Sequence, residues 1–114
     1  MAAEHNGDIS TLVAQAKAKC RITWDDAATD SRFEDEIVPG AVADVRLKVG
    51  IPDAVDFDFT ASGIEHKLFL NACYYAWHDA EDDFGTNYAA DIAHARRIWE
   101  VKNAQEEEDS SDLP

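Results

Sequence analysis

The sequence predicts an all-α protein, a small bundle of about four helices with a long connecting loop and an acidic C-terminal arm. Three observations favour this fold class. Apolar residues recur at steps of three and four along most of the chain, which is the periodicity of one helix face. Residues that cap helices stand at the start of these stretches. Only one short segment alternates like a strand, and an isolated strand has no partner within the chain.

The first helix is predicted over residues 9–20. Its apolar residues recur at helical spacing from Ile9 to Cys20. Asp8 or Ser10 can accept hydrogen bonds from the free backbone amides at its start.

A proline interrupts the next apolar stripe. Asp25 or Asp26 is a natural N-cap for a short acidic helix, and further on the chain reads Pro39-Gly40. Proline removes one backbone hydrogen bond and clashes with the preceding turn. We therefore expect a kink or a break there, with a short acidic helix followed by a second helix over residues 40–49. Gly50 is suited to end that helix as a C-cap.

Residues 51–62 are predicted to form a connecting loop. Phe57 and Phe59 alternate with aspartates, so an extended segment would be apolar on one face and acidic on the other. Such a segment can be laid against another chain. We therefore expect this loop to clasp an adjacent subunit through its two phenylalanines.

Two further helices are predicted in the second half of the chain. Residues 63–80 are the most apolar stretch and should form the central, most buried helix. Ser62 and Glu65 have the spacing of a capping box at its start. Residues 85–87 then read as a turn, and a last helix is expected over residues 88–103.

The charge is strongly acidic, with 10 Lys and Arg against 24 Asp and Glu and a formal net charge of -14. We divide the chain into a helical domain, residues 1–104, and an acidic tail, residues 105–114, expected to contact a partner. The surface repels phosphate backbones, which argues against affinity for duplex nucleic acid. It indicates either solubility alone or a face suited to a basic partner or to sliding DNA. The acids of the tail are Glu106, Glu107, Glu108, Asp109 and Asp112.

No pattern of catalytic, metal-ligating or cofactor-binding residues is recognisable. His66 and Cys73 could share a helix face, but a metal would need at least one more ligand. Residues 79–90 resemble a calcium loop only superficially, because Phe84 and Ala90 stand where glycine and glutamate are required. No nucleotide-binding loop or nucleophile motif is present. We therefore expect a protein that is not an enzyme, with no cofactor and no metal.

The two cysteines and the hydropathy pattern indicate an intracellular chain. Cys20 and Cys73 are too few and too far apart for a disulfide framework, and we expect both to be reduced and buried. No apolar run approaches the roughly 20 residues that cross a bilayer. The first eight residues lack the pattern of a signal peptide.

The 11 aromatic residues are more than a domain of this size easily hides. Tyrosine and tryptophan are also preferred anchors of subunit interfaces, since each joins a large apolar area to a polar tip. We expect several to lie between subunits. The candidates are Phe57, Phe59, Tyr74, Tyr75, Trp77 and Trp99.

The order of elements over residues 8–80 has a parallel in a known family. A short helix ends in Cys20-Arg21-Ile22, an acidic turn reads Trp24-Asp25-Asp26, and a helix carrying Phe33 follows. A buried helix then reads Leu-Phe-Leu-Asn-Ala-Cys-Tyr-Tyr-Ala-Trp-His-Asp from residue 68. This arrangement resembles the head-tail connector (adaptor) proteins of tailed bacteriophages.

The resemblance implies a structural virion protein, assembled in the bacterial cytoplasm. About a dozen copies would form a ring by head-to-tail contacts that close by rotation. The ring would lie between the portal protein and a tail-side stopper or tail protein, with no membrane involved. DNA would pass through without specific binding, because carboxylates hold no phosphate tightly. The acidic tail would reach the portal or a neighbouring adaptor subunit.

Two other hypotheses remain open at this stage. An acidic binding module, such as a DNA mimic that blocks a nucleic-acid enzyme, would rest on the same charge of -14. A small enzyme has only unplaced carboxylates and histidines in its favour. Assembly state separates the first two, because a connector forms rings whereas a mimic is a monomer or dimer bound to a basic enzyme.

Overall fold

The computed structural model describes the backbone of residues 5–111 and the side chains of residues 5–105. The regular secondary structure of this part of the chain is helical, with no strand, which confirms the predicted all-α fold class. Its elements are α1 (Ile9–Lys19), α2 (Ala27–Arg32), a π-helical segment (Phe33–Ile37), α3 (Val38–Val49), α4 (Ile64–Trp77), α5 (Glu81–Asn87) and α6 (Ala89–Ser111). When the continuous stretch from α2 to α3 is counted as one helix, the described residues contain five helices, slightly more than the predicted four.

Three predicted helix caps are confirmed. The carboxylate of Asp8 accepts a hydrogen bond from the backbone N–H of Thr11 at 3.0 Å. Asp26 accepts one from the N–H of Thr29, also at 3.0 Å. Gly50 ends α3 in the left-handed conformation, with φ of 87°, which glycine adopts at little steric cost.

The chain does not break at Pro39-Gly40, because it stays helical through both residues, but α3 begins at Val38, close to the expected start of the second helix. A π-helical segment precedes the proline, and the backbone N–H of Val38 bonds to the carbonyl oxygen of Phe33, five residues back. A proline ring in a helix clashes with the carbonyl four residues earlier, here that of Asp35. Asp35 lies inside the wider π turn, which accommodates the ring without ending the helix.

The predicted capping box at the start of α4 is also wrong. Gly63 is the residue before the helix, and no side chain caps the backbone amides there, so Ser62 has no such role. Glu65 serves another purpose, since its carboxylate accepts a hydrogen bond from the indole N–H of Trp99 at 3.0 Å. Glu65, which was predicted to take part in a local cap, therefore links α4 to α6 instead.

The last helix is longer than predicted. Residues 85–87, expected to be a turn, belong to α5, and the chain turns at Tyr88 instead. α6 then continues past residue 105, the expected start of the tail, to Ser111. Its 23 residues correspond to a length of about 33 Å. The radius of gyration is 15.3 Å, against about 13 Å for a compact domain of this length, so the molecule is elongated.

The core lies where α4 packs against α1, α3, α5 and α6. The position of α4 is central, as predicted, but it is not the most buried helix. α3 buries six of its 12 residues, whereas α4 buries five of its 14, because the C-terminal half of α4 reaches the surface at Tyr74. The largest fully buried side chains are Phe33, Phe59, Phe69, Phe84, Leu12 and Leu68.

Candidate functional site

The loop after α3 pairs with the N-terminal segment of its own chain. The backbone N–H of Phe57 donates to the carbonyl oxygen of His5 at 2.8 Å, and that of Phe59 donates to Asn6 at 2.9 Å. The amides of Phe57 and Phe59 therefore point to the same side, as in an extended segment. This conformation explains why phenylalanine and aspartate alternate in the sequence. The side chain of Phe59 is fully buried. The buried Phe59 is therefore not available for the expected clasp onto an adjacent subunit, whereas a contact through Phe57 stays a prediction.

The six aromatic residues predicted for a subunit interface have different environments. Phe59 and Trp99 lie in the core, with 0% and 6% of their surface exposed, so neither side chain is free to anchor a neighbour. Phe57, Tyr75 and Trp77 are half-buried and pack against the core, whereas Tyr74 is 39% exposed. Among the six, Tyr74 is the side chain most available to a partner.

Arg46 joins the loop and the N-terminal segment to α3. Its guanidinium donates to the side-chain oxygen of Asn6 at 2.8 Å and to the carbonyl oxygens of Pro52 and His5 at 2.9 and 3.3 Å. It also lies over the ring of Phe59, 5.7 Å from its centroid. Burial lowers the pKa of Arg46 from its ordinary value. All three nitrogens have protein acceptors, so we assign Arg46 a structural role.

One cavity of about 370 Å³ lies between the π-helical segment with α3 on one side and α4 with α5 on the other. Its apolar lining comprises Ile37, Ala41, Ala72, Ala76 and Phe84. At its rim, the Lys48 ammonium lies 2.5 Å from the carboxylate of Asp44. Gly40 borders the cavity, and a Cβ atom there would meet nothing within 4 Å. The remaining lining residues are charged: Arg32, Glu36, Asp44, Lys48, Glu81 and Asp82.

A second cavity, of about 570 Å³, has the opposite chemical character and is here called the basic pocket. It lies where the end of α1 meets α4 and the turn before α6. Its lining holds Lys19 and Arg21 and includes no carboxylate from the part of the chain that the structure describes. Among the described residues, no carboxylate oxygen lies within 4.0 Å of either cation. The other lining residues are Cys20, Asn71, Tyr74, Tyr75, His78 and Tyr88.

The floor of the basic pocket is held by hydrogen bonds between α4 and the turn before α6. The hydroxyl of Tyr88 donates to the side-chain oxygen of Asn71 at 2.8 Å. Asn71 is 8% exposed, and its side-chain N–H donates to the backbone oxygen of Lys67 at 2.9 Å. The rings of Tyr74 and His78 lie 4.5 Å apart at the outer edge. The residues of the floor are therefore hydrogen-bonded to one another, whereas Lys19 and Arg21 at the rim are exposed.

Arg21 reaches the pocket from a strained backbone conformation. Its φ is 59°, in the left-handed region where a helix usually ends on glycine. The N–H of Ile22 bonds to the oxygen of Lys17 at 2.9 Å, which closes the end of α1 around that residue. A side chain at such a position costs about 1 kcal/mol relative to glycine. Neither Lys19 nor Arg21 was a predicted site residue, because the left-handed backbone of Arg21 and the residues around the two cations are visible only in the folded chain.

The cysteines and histidines form no metal site within residues 5–105, where no group of three candidate ligands occurs. Cys20 and Cys73 are free thiols, half-buried and buried respectively. Burial raises the pKa of Cys20 to about 11 and also raises that of Cys73. His66 lies 2.7 Å from the backbone oxygen of Phe59 and therefore holds the loop rather than pairing with Cys73.

α6 leaves apolar side chains uncovered. Ile98 and Val101 are 37% and 53% exposed, one turn apart, while Leu47 on the adjoining α3 is 79% exposed. Further along, the side chains of Glu106, Glu107, Glu108 and Asp109, and all of Asp112, lie outside the described residues. No helix in the described part of the chain has the length and apolar character needed to cross a membrane.

The candidate functional sites are three surfaces: the cavity beside Gly40, the basic pocket and the exposed stripe of α6, which consists of Ile98 and Val101. Comparison with known protein families, with curated proteins and with solved structures finds no match for this chain. Function is accordingly inferred from the chemistry of these surfaces.

Proposed function

We propose that this chain is a structural protein that assembles into a closed ring, as a head-tail connector of a tailed bacteriophage beneath the portal protein. The observation that carries the proposal is the exposed stripe of α6. Ile98 and Val101 are exposed on α6, the longest helix of the described residues. Uncovered apolar side chains on a small domain favour association, because a neighbouring subunit removes them from water.

The charge supports the same proposal. The formal net charge of -14 falls only to -9 when the five acids of the last nine residues are removed, so the body itself is acidic. A ring lined by carboxylates repels the phosphates of DNA and lets it move without binding tightly. Because one subunit offers different surfaces at its two ends, its contacts would be head-to-tail and would close by rotation.

The proposal is tested by the mass of the native assembly, measured by native mass spectrometry and electron microscopy with and without portal protein. We expect a closed ring of one defined copy number. Replacing Ile98 and Val101 by glutamate should disperse it while the subunit stays folded. The matched control replaces Ala43 and Ala54, two exposed residues outside α6, by glutamate and adds the same charge.

Two outcomes would contradict the proposal. A chain that remains a single copy at every concentration, with portal protein present, is not a ring subunit. A monomer or dimer that instead binds the basic cleft of a nucleic-acid enzyme would identify the acidic binding module, in which carboxylates stand in for phosphates.

A further inference from the structure

The basic pocket brings two unpaired cations together. Although acids outnumber bases by 24 to 10, only five of the ten lysines and arginines form an ion pair within 4.0 Å among the described residues. Lys17 does so with Asp30 at 2.5 Å, two residues before Lys19. Lys19 and Arg21 instead share one pocket without a carboxylate from the described residues, and Arg21 takes a backbone conformation that favours glycine. Two unneutralised cations beside tyrosine hydroxyls form a binding site for an anionic group.

The chain contains a segment with the complementary chemistry. Residues 106–112 include five carboxylates and no base. Lysine and arginine at the pocket rim can each bind a carboxylate, and the hydroxyl of the exposed Tyr74 adds a donor. In a ring, each tail is held close to the next subunit, and this high local concentration offsets the weakness of individual exposed ion pairs.

The tail cannot reach the pocket of its own chain. Tyr88 lines the pocket and directly precedes α6, whereas the acidic segment begins 18 residues later on the same continuous helix. At 1.5 Å per residue, the first tail carboxylate is about 27 Å from Tyr88. A contact between the tail and the basic pocket must therefore join two chains.

We propose that the basic pocket of one copy binds the acidic C-terminal segment, residues 106–112, of the adjacent copy. The inference rests on the proposed ring and names one of its contacts. Because pocket and tail lie at opposite ends of α6, each copy uses both once, and the contact is of the head-to-tail kind that builds rings. It should weaken as salt screens the charges.

The first test removes the charge of the pocket from the full-length chain. Lys19→Gln with Arg21→Gln lowers the net charge by two, and the control, Ala43→Glu with Ala54→Glu, lowers it equally at sites away from the pocket. Glutamine adds no strain at Arg21, because the native residue already lacks the freedom of glycine. Sedimentation velocity should show half-assembly at about tenfold higher concentration for the glutamine variant, with the control close to native.

The second test reverses the charges. Lys19→Glu with Arg21→Glu should assemble poorly, and so should Glu106→Lys with Glu107→Lys and Glu108→Lys. One chain carrying all five substitutions should recover assembly, because pocket and tail are again complementary. Recovery cannot arise from damage to the fold, and the thermal midpoint of each variant checks folding separately.

The outcomes separate this inference from the proposed ring. The pocket contact is wrong, and the ring stands, if the native chain forms rings and the glutamine variant assembles as readily as the native chain. The same holds if the native chain forms rings and the chain with all five charge reversals does not recover assembly. A native chain that never assembles overturns both the ring and the pocket contact.

Carbodiimide cross-linking of a mixture of ordinary and nitrogen-15 chains gives a direct check, because bonds from Lys19 to residues 106–108 should join labelled to unlabelled peptides. Cross-links that join only peptides with the same isotope label would overturn the contact between chains.

Discussion

Arg46 and Arg21 carry the same side chain in opposite environments. Arg46 is 5% exposed and has three protein acceptors for its guanidinium, whereas Arg21 is exposed and has no carboxylate among the described residues within 4.0 Å. Burying an unpaired charge is costly, so a buried arginine persists only where the fold satisfies its donors. An exposed cation stays hydrated and remains available. The comparison separates a cation that holds the subunit together from one suited to bind a neighbour.

The largest expected effect concerns the aromatic ring beneath Arg46. Phe59→Ala should lower the free energy of unfolding by about 3–5 kcal/mol, because Phe59 is fully buried and its loss leaves a cavity. Urea unfolding measures this effect. The comparison variant is Tyr74→Ala at the rim of the basic pocket, which should cost much less because Tyr74 is 39% exposed. Equal losses would mean that the two regions do not differ as described.

Arg46→Met should cost about 2–4 kcal/mol of unfolding free energy. The substitution keeps the apolar stem but leaves the oxygens of Asn6, Pro52 and His5 without their donor. Hydrogen exchange at the amides of the loop should accelerate as well. Arg46→Lys retains the charge with fewer directed donors, so its stability should lie between those of the native protein and the methionine variant. A methionine variant as stable as the native protein would show that the buried charge is dispensable.

Tyr88→Phe tests the floor of the basic pocket. The hydroxyl of Tyr88 is a donor to the buried oxygen of Asn71, and its removal should cost about 1–2 kcal/mol. The control is Tyr75→Phe, whose hydroxyl accepts a hydrogen bond from the exposed Asn87 and should matter little. Thermal unfolding of both variants measures the difference. If both substitutions are neutral, the floor is not held by Asn71.

Cys20, in the wall of the basic pocket, gives a pH-dependent readout. Burial raises its pKa from 9.0 to about 11, so the folded chain keeps the thiol protonated where the unfolded chain ionises. Its contribution to stability is present below pH 9 and is lost as the pH rises towards 11. At pH 9, alkylation of Cys20 by iodoacetamide should be several-fold slower in the folded chain than in urea. Equal rates would mean that the pocket wall is open to solvent.

The smallest effect is expected from the pocket cations themselves. Lys19→Gln with Arg21→Gln should change the unfolding free energy of the subunit by less than about 0.5 kcal/mol, because neither side chain forms an ion pair with any of the described residues. Chemical denaturation of the dispersed subunit provides the measurement. A loss comparable to that of Arg46→Met would give Lys19 and Arg21 a structural role.

Local patterns of residues predicted the helices well. The caps at Asp8, Asp26 and Gly50 depend on hydrogen bonds or backbone angles within a few residues, so they are visible in the chain itself. The proline that led us to expect a break at residue 39 is a local feature too, but the way in which the helix accommodates its ring was not predictable. A π turn and a chain break both relieve the clash of proline, and packing of α3 on its neighbours favours the continuous helix.

The roles of the aromatic residues were not predictable in this way. The alternation of Phe57 and Phe59 indicates an extended segment but does not identify the surface it lies against. That surface is formed by His5 and Asn6, more than 50 residues earlier in the chain. The sequence therefore suggested a clasp onto another subunit, where the fold makes a contact within one.

By itself the sequence determined the helical class, most helix positions and the excess of acid, because periodicity, capping and charge are properties of neighbouring residues. Only the tertiary structure decided which charges are neutralised. Arg46 bonds to Asn6, 40 residues away, while Lys19 and Arg21 meet Tyr74 and Tyr88 and no carboxylate of the described residues. Pairing depends on which distant segments the packed helices bring within a few ångströms, and that distance is set by the whole core rather than by any local stretch.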